Sequence, residues 1–535
     1  MAHPMRRLVA ILSIGVSSLL LAPLLVGLGL PESSSVTPSP AMATAVRPSG
    51  FEGSELTTLA ITLGVTCMAA LIAVVIGLLI ACLLELTDFP ASAGWATATL
   101  VSFVCPATVW TLMQWYCYGP GGLMERWLGE IWRQAVLSWP GSNYLATTWV
   151  LAQIHVPLTM LVIGRGLARW HHGGVESAWM LLSRTRFACW LLGFLRGELA
   201  TAFGLTFALS ATCFAVPHVL QCRLYVIEIY LRAANYLDHL GAIRLALPLV
   251  LLTCLAAGLA ALGEPTWQLD GRERRVAKRF PLGPWRWPGV IAFSSYLFFT
   301  TGLPLMAMVI ECRSWSHFVS ALFAADLEIA NTIRIALAVA VLAGFICFTW
   351  LFPVRRIRAS GCASLMRVIG LVPLGIPPLL IGIAYLRCAS DCVPRDWTWL
   401  DSTPLLIVLG LTCRAWPLAI RYAMLGRQHL APVWDEAADM AALPGFSRWY
   451  RIQLPLLFDH GIGAPVIAFI LAAGDIELSQ LLCAPGQGTL ALRLFTFLHF
   501  GPTHVAASLA VVLILLCLIP LLLYAILCHR ILRLI

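Results

Sequence analysis

Lysine is almost missing from this chain. Lys278 is the only one in 535 residues, and only 11% of all residues are charged. Soluble chains carry about 25%, so an ordinary soluble protein is excluded. A P-loop needs the lysine of G-x-x-x-x-G-K-[ST] to reach the nucleotide phosphates. Lys278 sits in RRVAKRF with no glycine loop before it, so this chain has no P-loop with which to hydrolyse ATP. Any work it does must be driven by another subunit or by an ion gradient. There is also no CxxC pair and no Cys/His metal spacing, so no metal site is expected. Most of the 17 cysteines fall inside apolar runs, where they act as small hydrophobes. Cys388 and Cys392 flank a loop and form a candidate disulfide.

What the chain has instead is hydrocarbon. Sixty per cent of residues are apolar, gathered into runs near 8–30, 57–84, 93–117, 144–166, 191–220, 241–262, 287–310, 328–353, 368–387, 404–424, 457–483 and 504–528. A helix needs about 20 apolar residues to cross a bilayer, and the runs are continuous rather than alternating, which excludes a β-barrel. The pattern predicts an all-α polytopic membrane protein of about twelve transmembrane helices. The net charge of +9 would suit nucleic acid, but the basic residues cluster in alternate gaps: Arg6-Arg7, Arg165 to Arg186, Arg272 to Arg279, Arg355 to Arg367, Arg427 to Arg451, and Arg530/Arg533. Such spacing is the positive-inside pattern. It places both termini in the cytoplasm and excludes a nucleic-acid partner. The first cytoplasmic gap, with Glu85 and Asp88, lacks basic residues. A signal-peptide core runs about 7–15 residues. The run 8–30 is longer, so a retained span is expected, with cleavage after Ala41-Met42-Ala43 as the alternative.

The runs repeat in tandem. Glu176-Ser177-Ala178 and Glu436-Ala437-Ala438 lie 260 residues apart, as do His239/Gly241 and His499/Gly501. Cys105-Pro106 and Ile376-Pro377 break equivalent spans. Basic flanks on both Glu-bearing loops put them on the same side, so the two repeats are parallel. The expected organisation is an N-terminal span and exported segment over 1–54, a first transmembrane domain over 55–263, a basic cytoplasmic linker over 264–286, an extra span and exported loop over 287–326, and a second transmembrane domain over 327–530.

Residues 435–455, DEAADMAALPGFSRWYRIQLP, carry the most information. Pro432 suits a first helical turn, and Asp435 and Glu436 place negative charge near the positive end of that helix. Ala437, Ala438 and Ala442 leave the backbone open to close approach by another protein. Leu443-Pro444-Gly445 stops the helix and allows a bend. Ile452, Leu454 and Pro455 then lead into the next span. This loop resembles the EAA loop of permease subunits of binding-protein-dependent ABC importers, with Ala442 where a glycine is usual. The first copy, Glu176, Ser177, Ala178 and Leu182, is degenerate, because Leu192, Phe194 and Leu195 replace the Ile-x-Leu-Pro end.

The resemblance implies a transport subunit rather than an enzyme. Two copies of a separate ATPase would bind ATP and Mg and drive this chain through its loops. A periplasmic or lipid-anchored binding protein would deliver solute across a bacterial inner membrane, and this chain would bind no cofactor of its own. Residues 474–501 resemble the matching stretch of double-length ferric-iron importer permeases, and thiamine importer permeases share the plan. Iron is therefore the expected solute and thiamine the alternative. Asp475, Glu477 and Arg414 are candidate pathway or gate residues, since charge at membrane depth usually faces a cavity or a partner. The bland reading places both acids at the outer interface. An ion-coupled secondary transporter would also account for the acids and the missing P-loop, though not for the Glu-Ala-Ala loop.

Overall fold

The computed structural model describes residues 53–138, 141–168, 174–263, 280–351, 372–392, 403–429 and 445–532, with a few positions between. Among them there is no β-strand, only one bridge between Thr87 and Phe280. The molecule is an all-α polytopic membrane protein. Among the described residues seven helices are long and apolar enough to cross a bilayer, and up to ten when each bent pair counts as one span. These account for ten of the twelve apolar runs. Most of 8–30 lies outside the described residues, and 368–387 contributes only a 3-10 turn, Val372–Gly375, and a short helix.

Among the described residues the main helices run as follows. In the first half these are α1 (Gly53–Leu86), α2 (Ser92–Val104), α3 (Ala107–Tyr118), α4 (Ser142–Ala168), α5 (Gly174–Leu181), α6 (Arg184–Phe194), α7 (Arg196–Ala211), α8 (Ala215–Val219), α9 (Tyr225–Tyr230) and α10 (His239–Gly263). Next come α11 (Gly283–Glu311, with a π turn inside it) and α12 (Trp315–Ala324). The second half has α13 (Asp326–Leu351), α14 (Pro378–Cys392), α15 (Leu405–His429), α16 (Gly445–Arg448, continued by a π turn), α17 (Phe458–Ala473), α18 (Glu477–Leu482), α19 (Leu490–Phe500) and α20 (Thr503–Leu532).

The element order repeats. In each half a long helix packs on a proline-containing one: α1 on α4, with Pro157, and α13 on α15, with Pro417. Those two prolines are again 260 residues apart. The later helix of each half, α7 or α17, ends in a break followed by a short helix, a second short helix and the last long span. The register drifts. The helices after the break start 262 residues apart, at Ala215 and Glu477, and the last spans start 264 apart, at His239 and Thr503. The His/Gly landmarks are therefore not equivalent. His239 opens α10, whereas His499 lies at the end of α19 and Gly501 is its C-cap.

The last span of each half, packed mainly within its own half, also touches the other. Helix α10 packs on the 372–375 turn of half two, where Thr253 Oγ1 donates to Gly375 O at 2.5 Å. Helix α20 packs on α3 of half one, where Tyr116 donates to Thr503 O at 3.1 Å. One buried cluster joins Trp110, Leu151, Leu494 and Leu509 across both halves. Outward, Leu71, Leu79, Leu255 and Leu523 remain exposed, as expected of helices solvated by lipid. Helices α11 and α12 brace this arrangement against α3 and α20. At the end of α11, buried Glu311 accepts from Thr503 Oγ1 at 2.6 Å and pairs with Arg126 at 2.9 Å.

Candidate functional site

The Glu-Ala-Ala loops were expected to be helices outside the bilayer. In half one, α5 carries Glu176, Ser177 and Ala178, and the Leu182 N–H donates to Ala178 O at 2.9 Å as the helix ends. Trp179 packs edge-on to Phe187 at 5.0 Å and against Phe280 at 5.1 Å, so α5 is tied to α6 and to the end of the linker. Phe280 is held in turn by the Phe280 N–H donating to Leu86 O and the Asp88 N–H donating to Phe280 O. Asp88 Oδ1 accepts the Leu282 N–H at 2.8 Å. The acid-only gap thus receives the linker backbone. Beyond these contacts, Met180 and Leu181 project, 82% and 83% exposed.

In half two, Ala437 is helical and its carbonyl accepts the Ala441 N–H at 3.0 Å. Glu436, Ala438, Ala442, Leu443 and Pro444 lie outside the described residues. Gly445 opens α16, Ile452 lies half-buried in the π turn, and Leu454 and Pro455 form the short helix leading to α17. Met440 is 90% exposed and lies 260 residues after Met180. Both loops therefore present an exposed methionine at one repeat position. That pairing is readable from the offset alone.

The acids stand elsewhere than at the outer interface. The run 457–483 is not a straight span: α17 ends at Ala473, Gly474 caps it, and α18 starts again at Glu477. Asp475 and Glu477 are only 3% and 6% exposed. Asp475 forms an ion pair with Arg414, the tenth of the 20 residues in the span Leu405–Met424, so the pair lies at mid-span. Asp475 Oδ1 also accepts the Leu478 N–H at 2.8 Å, one of the free donors of a helix's first turn. Apolar-run counting assumes an unbroken helix, and the break at Gly474 draws both acids inward.

The two breaks meet. Glu477 Oε1 accepts the Phe214 N–H at 3.3 Å, from the break between α7 and α8. Arg414 lies within electrostatic range of Glu477 and of Cys213, the neighbour of Phe214. Gly474 faces Pro106, so a Cβ at 474 would stand 2.6 Å from Pro106 Cβ and Cγ. Half one has Cys213 and Ala215 where half two has Asp475 and Glu477 in the helix register, so the charge is one-sided. Gly474→Ala is expected to cost about 1–3 kcal/mol, as overpacking does, and to lower the thermal midpoint of purified protein. Substitution at Gly488, where an added Cβ meets nothing within 4 Å, is the control.

Among the described residues no group of three or more His, Cys, Asp or Glu could hold a metal ion. Cys388 and Cys392 are free thiols. His499, exposed, faces His218 with ring centres 4.9 Å apart, and His504 faces His317 at 4.8 Å.

No family model matches the chain. It is similar to the "Putative 2-aminoethylphosphonate transport system permease protein PhnV" of Salmonella typhimurium strain LT2, at 22% identity over 243 residues, 42% of this chain and 88% of the relative. The proteins of that name from Salmonella choleraesuis and Salmonella paratyphi A match equally. This similarity, together with the apolar helices, supports a multi-pass membrane permease, a transport subunit. The relatives are named for a phosphonate, not for iron or thiamine.

Proposed function

We propose that the chain is the permease of an ABC importer in which two transmembrane domains are fused, with the solute pathway between them. The observation that carries this reading is the repeated order of elements, with the broken spans of the two copies meeting where Glu477 accepts the Phe214 N–H. The coverage agrees with it, since a match to 88% of the relative takes up only 42% of this chain. Two ATPase subunits, each loaded with ATP and Mg, would engage the loops around Glu176 and Glu436. A binding protein would dock on the exported face, in a bacterial inner membrane with both termini of this chain in the cytoplasm.

For the solute, 2-aminoethylphosphonate has more support than ferric iron. The relatives' name supports it, and a cluster with charges of both signs lies where the halves meet. Iron rests on the resemblance of residues 474–501. The test is a deletion strain of the source organism, grown with 2-aminoethylphosphonate as sole phosphorus source and, separately, with iron limiting, then assayed for labelled uptake. Lost phosphonate uptake with normal iron uptake supports the reading. The reverse assigns iron and leaves the permease intact.

Orientation has its own test. Cysteines introduced singly should be labelled from the cytoplasm in 264–286, 354–367 and 425–455, and from outside in 312–326, 389–403 and 484–503. Labelling of 425–455 from outside would remove the ATPase-docking argument.

A further inference from the structure

The Glu477 carboxylate is sealed between the halves with half of its hydrogen-bonding capacity unused. Its Oε1 accepts the Phe214 N–H. The Leu379 N–H lies near the same carboxylate, yet Oε2 has no partner that meets hydrogen-bond geometry. Gln480 Oε1, one turn further along α18, is likewise buried and unpartnered. Buried acceptors without donors are costly and rare. Beside the Leu379 N–H, these two leave room for a further donor.

Arg414 complements them. Its side chain is 29% exposed, whereas its neighbours Cys413, Ala415 and Trp416 are at most 3% exposed. A guanidinium open to lipid at mid-span would be prohibitive. Helix α15 is packed on α13, α14, α17 and α18, and Arg414 looks toward Cys213 and Glu477. Arg414 therefore stands at the junction of the two breaks. Asp475 occupies only part of a guanidinium that has five N–H donors.

We infer that Arg414 and Glu477 form a subsite for a small zwitterion, Arg414 taking its oxyanion and Glu477, with Gln480, taking its ammonium group. This rests on the importer reading above and names the chemistry of the solute. A planar guanidinium suits an oxyanion with paired oxygens, and orphaned acceptors suit an ammonium's three donors. Opening of the breaks during alternating access would part Glu477 from Phe214 and admit the solute between them.

The test uses the full chain with its ATPase subunits in lipid nanodiscs, nucleotide-free and ATP-bound, without the binding protein. The probes are 2-aminoethylphosphonate and methylphosphonate, an oxyanion without the ammonium, followed by phosphorus NMR line broadening. Arg414→Lys keeps a charge for Asp475 but loses the planar fork. It is expected to weaken both probes about tenfold, the loss of one charge-assisted hydrogen bond. Glu477→Gln is expected to weaken 2-aminoethylphosphonate by a similar factor and leave methylphosphonate unchanged. Membrane level and thermal midpoint are measured for each variant, and Glu477→Asp, which retains the charge, should recover part of the loss. Absence of broadening in both nucleotide states, or broadening unchanged in both variants, overturns the subsite. ATP-dependent uptake by the wild-type system is measured in parallel. Uptake without variant-sensitive binding removes only the subsite, whereas no ATP-dependent uptake of any solute removes the importer reading as well.

Discussion

Met440→Asp and Glu436→Arg are expected to abolish ATP-driven uptake while the protein still inserts in the membrane. Met440 is 90% exposed, so its replacement touches no core, and surface substitutions away from special features usually stay within about 0.5 kcal/mol of neutral. If the loop enters a groove on an ATPase subunit, the new carboxylate is buried there without a partner. An uncompensated buried charge costs about 3–5 kcal/mol, a loss of roughly 100-fold or more in affinity. Ala438→Asp should act in the same way. Co-purification of the ATPase should fall along with uptake. Met180→Asp and Glu176→Arg should do less, because the first loop lacks the Ile-x-Leu-Pro end. Equal severity would show that Met180, 82% exposed at the same repeat position, bears an equal load. Normal uptake in all three half-two variants would reduce the loop to a connector.

The spans were legible because lipid leaves few options. Backbone polar groups must be satisfied within each crossing segment, so long apolar runs announce themselves, and ten of the twelve expected have a counterpart. Breaks within a run were legible only where proline marks them. The 100° bend between α2 and α3 falls at Cys105-Pro106. The break at Gly474 carries no such sign. A straight helix and a broken one have the same composition, and the glycine's close neighbour Pro106 lies more than 350 residues earlier. The depth of the acids depends on that break: the alternative placement at the outer interface does not fit two buried carboxylates, one of them paired with Arg414. The repeat was readable, but shared letters overstate its register. His239 and His499 match in sequence while opening one helix and closing another. Contacts across the halves, such as Glu477 with Phe214, have no local signature.

Arg414→Ala should be the most damaging single change to folding. Asp475, with its side chain wholly buried, would keep only the Leu478 N–H and would face a second carboxylate, Glu477, in the same cluster. Removing one partner of a buried ion pair costs about 3–5 kcal/mol, a large share of the total of about 5–15 kcal/mol that holds a typical domain folded. The expected result is a chain that fails to accumulate in the membrane or melts far below the wild type. Arg414→Met combined with Asp475→Leu removes both charges and should recover most of that loss, because apolar replacements of a buried pair are often neutral or stabilising. The double variant is also expected to transport poorly, since it fills the junction of the two breaks with hydrocarbon. Unfolding free energies of the wild type, Arg414→Met, Asp475→Leu and the double variant give the coupling energy. Additive losses would mean that Arg414 and Asp475 do not depend on each other, and the contact at the broken span would then be incidental to the fold.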